Sequence, residues 1–373
     1  MLKLEQLPTP CLMLDRGKMD RNLARLRQRM ASLGVGLRPH LKTCKNWEIA
    51  ARMMPSPQGP ATVSTLREAE YFAERGVRDL TYAVGIAPQK LDRVLALRAR
   101  GVDVAVILDS IEQAQAVAAC SRAAQRALPA LIEIDADGHR AGVPPGNREA
   151  LLALAAAIAR GGEVRGVLTH AGASYHAHGV EALESAAEGE RAAAVEAAAA
   201  LRAAGHACPV VSVGSTPTAH FARDLTGVTE VRAGVYVFFD LVMVQLGVCT
   251  LEDIAISVLA TVIGHQPSTN AILTDAGWTA MSRDPGAGSD GFGLVCDLGG
   301  KPIQGLFVRE MSQEHGVLAL RPGGTRALPE LPIGTRVRIL PNHACATAAQ
   351  FERYQVLGAG DRIEAEWPRF QGW

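Results

Sequence analysis

Between about residues 35 and 240 the chain alternates short, β-branched apolar runs with longer, alanine-rich amphipathic stretches. Eight runs stand out: VGLRPHLK, PATVST, DLTYAV, VDVAVILD, ALIEID, VRGVLTH, PVVSVG and VTEVRAGVYVF. Each but the last is followed by a segment fit to be a crossover helix. Strands covered on both faces read as near-continuous apolar runs, so this repeat predicts a parallel sheet, and eight repeats predict a (β/α)8 TIM barrel. The segment EALESAAEGERAAAVEAAAALRAAG, between the sixth and seventh runs, has high helix propensity and offers no chemistry of its own.

After about residue 245 the texture changes. DIAISVLATVIGHQ, NAILTDAGW, GTRVRIL and YQVLGAGDRIEAEW alternate apolar and polar positions with few helix signals, the pattern of a mainly antiparallel β domain. The fold class is therefore α/β plus β. A barrel is expected over residues 10–245 and a β domain over 246–373, completed by residues 1–9. The opening LPTPCLMLD and a helix from about Lys18 to Ser32 are expected to bridge the two.

Composition narrows the classes of function. At 373 residues the chain can bury a large core, and Lys plus Arg equals Asp plus Glu at 38 each. No charge run asks for nucleic acid or an anionic membrane surface. The seven cysteines are scattered and mostly set in apolar segments, which reads as reduced thiols. The start MLKLEQLPTPCLMLD has no basic segment followed by an apolar core, and no apolar run is long enough to span a bilayer. The protein is expected to be soluble and cytoplasmic.

In a barrel of this kind the active site is built at the C-terminal ends of the strands, and the polar residues cluster there. The first run ends RPHLKTCK, placing Lys42 at the mouth, with Lys45 near enough to compete. A desolvated lysine at a strand end can serve as the neutral amine of a Schiff base; the alternative is a lysine with its head in water. In GSTPT, the backbone around Gly214 with the hydroxyls of Ser215 and Thr216 could cradle a phosphate, aided by Gly234 and Val235 on the next run, or could simply cap a helix. A phosphate cradle opposite a strand-end lysine suggests pyridoxal phosphate. His170 could lie against its ring, Arg140 could meet the phenolate oxygen, and Arg232 could set the state of the pyridine nitrogen. Tyr175, after the sixth run, is a candidate to stack near substrate or relay a proton. Near the end, PNHACAT places His343 and Cys345 two positions apart after a β-branched run. Such a pair is either a metal site that leaves coordination positions open or ordinary packing.

The strings TPCLMLD, RPHLKTCK, EIDADGHRAG, GVLTHAG, VGSTPTA, VTEVRAGVYVFFDLVM, DAGWTAMSRD, QEHG and ILPNHACAT resemble, in order and across essentially the whole chain, the fold-type III pyridoxal phosphate enzymes of the D-serine dehydratase and D-threonine aldolase branch. The resemblance implies an alanine-racemase-like barrel, a C-terminal β domain and a head-to-tail homodimer. It also implies that Lys42 holds the cofactor and that His343 and Cys345 bind a divalent metal. The activity implied is a lyase that removes water, then ammonia, from D-3-hydroxy amino acids, turning 3-hydroxyaspartate into oxaloacetate or D-serine into pyruvate. Relatives often carry His where this chain has Cys44, and aldolases tend to carry Asp where it has Cys345. A thiolate favours zinc or another borderline ion, whereas a carboxylate favours manganese or magnesium, so Cys345 pulls toward dehydratase; zinc is expected, with manganese, cobalt or nickel as alternatives. The rivals are a retro-aldol lyase releasing glycine and, from another class, a non-catalytic carrier of the cofactor. Arg283, His176, His178 and His315 compete to recognise a second substrate carboxylate.

Overall fold

A computed structural model of the chain describes residues 3–138, 140–286, 291–322, 327–358 and 362–373. The chain divides into two compact units: residues up to Leu23 with Val235–Gln371, and Ala24–Gly234 with the last two residues. Strand β1 (Cys11–Asp15) belongs to the first unit.

The second unit contains β2 (Gly36–Pro39), β3 (Ala61–Val63), β4 (Asp79–Gly85), β5 (Asp103–Leu108), β6 (Pro129–Ile134), β7 (Glu163–Thr169), β8 (Val210–Val213) and β9 (Glu230–Ala233). All pair in parallel in the order β2-β9-β8-β7-β6-β5-β4-β3, and a parallel bridge between His40 and Thr62 joins the two ends, closing the barrel. The eight apolar runs are these eight strands, and a helix follows each but the last. The strand-to-helix turns start where a short polar side chain can satisfy the first free N–H groups. Asn46 accepts from Ile49 N, Thr65 from Glu68 N, Ser110 from Gln113 N, Asn147 from Ala150 N and Ser215 from Thr218 N. At the strand starts, the rim opposite the expected site, buried Arg38 binds Glu230 Oε2 and Asp79 Oδ1, both at 2.7 Å. A buried charge with two carboxylate partners stabilises that rim rather than serving chemistry.

The first unit carries β1 with β10 (Ile256–Gln266), β11 (Ala271–Thr274), β12 (Gly293–Cys296), β13 (Pro302–Met311), β14 (Gly316–Leu320), β15 (Arg336–Pro341), β16 (Arg353–Leu357) and β17 (Ile363–Pro368). Their order is β11-β14-β13-β12-β15-β10-β1-β16-β17, antiparallel except for β1–β16, and an added β10–β11 pairing closes six of them into a ring. The boundaries expected at residues 10 and 245 are corrected to Leu23/Ala24 and Gly234/Val235. The reason is hydrogen bonding: β1 is laddered between β10 and β16, and Ala255 N donates to Phe238 O, which ties the segment after Gly234 to this unit. No helix among the described residues is long and apolar enough to cross a membrane.

Candidate active site

At the C-terminal rim of the barrel, β2 runs out at Pro39, and His40 continues the ladder by donating its N–H to Ala233 O at 2.8 Å. Lys42 stands in the turn that follows, exposed, and no hydrogen bond or ion pair reaches its amine among the described residues. Its competitor is committed elsewhere. Lys45 Nζ lies 3.4 Å from Oε1 of the buried Glu68, whose own pKa is pushed up by burial and only partly offset by the Ser64 N–H and by Lys45. An amine held against a buried carboxylate is engaged where it stands, so Lys42 is the nucleophile candidate. Cys44 is buried against the Leu41 carbonyl, a packing role.

His170 lies among the charges of Arg232, Lys42 and Arg140, with Tyr175 beside its ring. His170, one residue past β7, has its pKa lowered to about 4, chiefly by burial and further by the charges of Arg232, Lys42 and Arg140. Its Nδ1 lies 3.0 Å from Gly214 O; a carbonyl only accepts, so Nδ1 carries the hydrogen and Nε2 is left as an acceptor. Arg232, on β9, is buried and fixed by bonds to Ser212 Oγ at 2.8 Å and Thr169 O at 2.7 Å. Arg140 is largely exposed, 3.8 Å from Glu133. Tyr175 lies in the turn Gly172–His176, its ring centroid 6.2 Å from that of His170.

The loop after β8 realises both readings of GSTPT. Ser215 is a helix cap: its Oγ accepts from Thr218 N, and its own N–H donates to Thr218 Oγ1 at 2.9 Å. Thr216 Oγ1 is buried and has no hydrogen-bond partner among the described residues. An orphaned hydroxyl costs stability unless something binds it. Gly214 has φ +131°, and a Cβ there would stand 2.2 Å from Arg232 O. At Gly234 a Cβ would meet Thr43 Oγ1 at 3.0 Å. Val235 follows in the chain as the buried first residue of the turn Val235–Val237, in the other unit. The Gly214 N–H does not point to a free anion site as the motif suggests: it donates to Glu190 Oε1 at 3.0 Å. Glu190 sits in the alanine-rich helix Val180–Ala203, read as devoid of chemistry, and nothing in that repetitive segment distinguishes it from its neighbours.

In the other unit, His343 lies two residues past β15 as the N-cap of the helix Ala344–Ala348, with Cys345 in its first turn. His343 Nδ1 makes a short contact with Asp284 Oδ2. Burial alone would lower the His343 pKa. It is outweighed by a hydrogen bond to Cys345 and by the charges of Cys345 and Asp240 with the Asp284 bond, which push it up to about 10. Asp240 is buried. Its Oδ1 accepts from Met243 N at 3.0 Å and its Oδ2 from Ala344 N at 2.9 Å, so it ties the start of the helix Leu241–Gln245 to the start of the helix Ala344–Ala348. Burial, opposed by these bonds, raises the Asp240 pKa to about 6. The sequence reasoning assigned no role to Asp240 or Asp284, although both fall in strings it singled out. Among the described residues no group of three or more His, Cys, Asp or Glu could hold a metal ion, so the donors remain a pair. Of the residues competing to read a second carboxylate, His176 and His178 lie just after β7 in the barrel unit. Arg283 and His315 lie in the other, Arg283 with its guanidinium 5.2 Å from the Trp278 ring centroid.

These residues fit an anionic, phosphate-bearing aldehyde cofactor on the barrel, by the uncommitted amine, the cationic rim and the orphaned Thr216 hydroxyl. The soft N and S donors of the other unit fit a borderline divalent ion. Residues 14–242 match the family described as "Alanine racemase, N-terminal domain" and residues 255–357 the one described as "Putative serine dehydratase domain". The chain belongs to the alanine-racemase-like family that carries this dehydratase domain. Among its relatives, D-threo-3-hydroxyaspartate dehydratase of Delftia sp. (strain HT23) is 52% identical over 98% of both chains. The solved structure of that enzyme superposes with TM-score 0.96 at 51% identity over 100% of both chains, and a cysteine-to-alanine mutant of it has been solved in a metal-free form. D-serine dehydratase of Dictyostelium discoideum is 30% identical over 96% of both chains. A 3-hydroxy-D-aspartate aldolase of Paracoccus denitrificans is 26% identical over 97% of this chain and 92% of its own.

Proposed function

We propose that this chain is a pyridoxal phosphate- and divalent-metal-dependent lyase that dehydrates D-3-hydroxy amino acids, D-threo-3-hydroxyaspartate above all, giving oxaloacetate and ammonia, with D-serine as a second substrate giving pyruvate. The observation that carries the reading is an uncommitted Lys42 amine at a cationic barrel rim, in a chain that also carries the His343–Cys345 pair. The relatives support the substrate class.

Lys42 would hold the cofactor, with Ser215, Thr216, Gly234 and Val235 toward its phosphate and His170, Arg140, Arg232 and Tyr175 around its ring. The cofactor, when bound, supplies an electron sink for the pair left at Cα. Lys42 Nζ takes the α-proton, from the one face that a single lysine can reach. Arg232 cannot accept a proton and is held by Ser212 and Thr169, so it disfavours a protonated pyridine nitrogen beside it. His343 and Cys345 would hold the metal, zinc by the softness of the thiolate, and the metal supplies Lewis acidity to the departing β-hydroxyl. Loss of the α-proton and of hydroxide, which leaves as water, produces an enamine. Its hydrolysis consumes one water and releases ammonia and the 2-oxo acid. The family's homodimer and a cytoplasmic location belong to the same proposal.

The retro-aldol alternative would break Cα–Cβ instead, and product identity separates the two. Given D-threo-3-hydroxyaspartate, the protein should release equimolar ammonia and oxaloacetate. Glycine and glyoxylate would establish an aldolase, and a bound but unconverted cofactor with no product from any of these substrates would establish a carrier.

A further inference from the structure

Glu190 is a buried carboxylate on the core-facing stripe of an alanine-rich helix. Glu181, Glu188 and Glu196 of the same helix are exposed, whereas Glu190 is 2% exposed and falls in register with Leu183, Ala187, Ala194, Ala197 and Leu201. A carboxylate in such a position is costly unless its oxygens are fully used. Glu190 uses both. Oε1 accepts from Ala171 N at 2.9 Å and Gly214 N at 3.0 Å, and Oε2 accepts from Thr218 Oγ1 at 2.8 Å. These partners lie in two different loops at the same barrel rim. Ala171 follows His170, Gly214 precedes Ser215 and Thr216, and Thr218 binds the Ser215 N–H.

We propose that Glu190 is a positioning residue: it ties the loop after β7 to the loop after β8 and thereby holds the Ser215–Thr216 segment as a cradle that selects a phosphate-bearing cofactor. The inference rests on the reading of this rim as a phosphate site and goes beyond it by naming what holds the cradle in shape. Three observations converge. The Gly214 N–H is withdrawn from ligand duty by the carboxylate. The Ser215 N–H is consumed in the cap, and its hydroxyl accepts from Thr218 N and lies 2.9 Å from Ser174 Oγ. The buried Thr216 Oγ1 lacks a partner among the described residues. Its placement depends on its neighbours Gly214, held through its N–H, and Thr218, held through its hydroxyl, both bound to Glu190. Burial raises the Glu190 pKa, offset in part by these three bonds and by the nearby charge of Arg232. An acceptor-only group suits a site whose three partners all donate.

The test compares pyridoxal phosphate with pyridoxal, which lacks the phosphate, as ligands of cofactor-stripped protein. For each variant the ratio of the pyridoxal dissociation constant to that of pyridoxal phosphate reports the cradle alone. Glu190→Ala should lower that ratio at least about tenfold while leaving pyridoxal affinity within about threefold, the scale expected when a set of charge-assisted bonds to the binding loop is lost. Glu190→Gln keeps an oxygen for both N–H groups and reverses only the Thr218 bond, so it should hold the ratio within about threefold of wild type. Thr216→Val should lower the ratio as Glu190→Ala does. If Glu190→Ala does not fold, Glu190→Asp, whose carboxylate is drawn back by one methylene, is read in the same way. Equal loss of affinity for both ligands, or an unchanged ratio in the Ala or Asp variant, overturns the positioning role. A wild-type protein that does not distinguish the two ligands overturns the phosphate-site reading itself.

Discussion

At the scale of single residues, the division of labour between Lys42 and Lys45 follows from their partners. Lys45 is ion-paired with a buried glutamate and Lys42 is not, so borohydride treatment of the cofactor-loaded protein should fix the label on Lys42. Peptide mass mapping that finds it on Lys45 would refute the assignment. His170 offers a pH test. Its folded pKa of about 4 lies below the ordinary histidine value. As pH falls through 6.5 toward 4, the unfolded chain takes up a proton that the folded one refuses, and stability is lost. Between pH 7 and 5 this amounts to about 2 kcal/mol. Urea denaturation of cofactor-free protein should show wild type losing that much more than His170→Asn, and parallel pH curves would contradict it. Lys42, His170 and His343 were legible in the sequence because strand ends are easy to locate and reactive residue types are few. Asp240, Asp284 and Glu190 were not, because what marks them is a partner far along the chain: Asp240 binds Ala344 and Asp284 binds His343. Carboxylates that orient a ligating histidine typically carry about tenfold or more of metal affinity. Asp284→Asn should weaken zinc binding to that extent by calorimetry, and undiminished affinity would remove Asp284 from the account.

At the scale of elements, the barrel was readable because parallel strands buried on both faces leave unbroken apolar runs, and each of the eight became a strand. The placement of β1 was not. CLMLD is as apolar as a barrel strand, and only its pairing with β10 and β16 assigns it to the other sheet. Loop shape at the site depends on glycine where the backbone leaves the L-residue range. Gly214, at φ +131° and pressed against Arg232 O, should not tolerate a methyl group. Gly214→Ala should cost at least about 2 kcal/mol in chemical denaturation. A variant of wild-type stability would mean that the loop can relax and that the cradle is not pinned as described.

For the whole molecule, the proposed dimer predicts a sedimenting mass of about twice the 39.5 kDa of one chain, and a monomer at working concentrations would contradict it. The proposal also assigns separate chemistry to separate parts of the chain: the proton at Cα to Lys42 on the barrel, and assistance to the leaving hydroxyl to the metal held by His343 and Cys345. The most direct test is to assay ammonia and oxaloacetate release from all four isomers of 3-hydroxyaspartate before chelation, after it, and after zinc is restored. The account predicts turnover of the D-threo isomer far above the L isomers, lost on chelation and recovered with zinc. Comparable turnover of an L isomer, or elimination that persists undiminished after complete chelation, would contradict it.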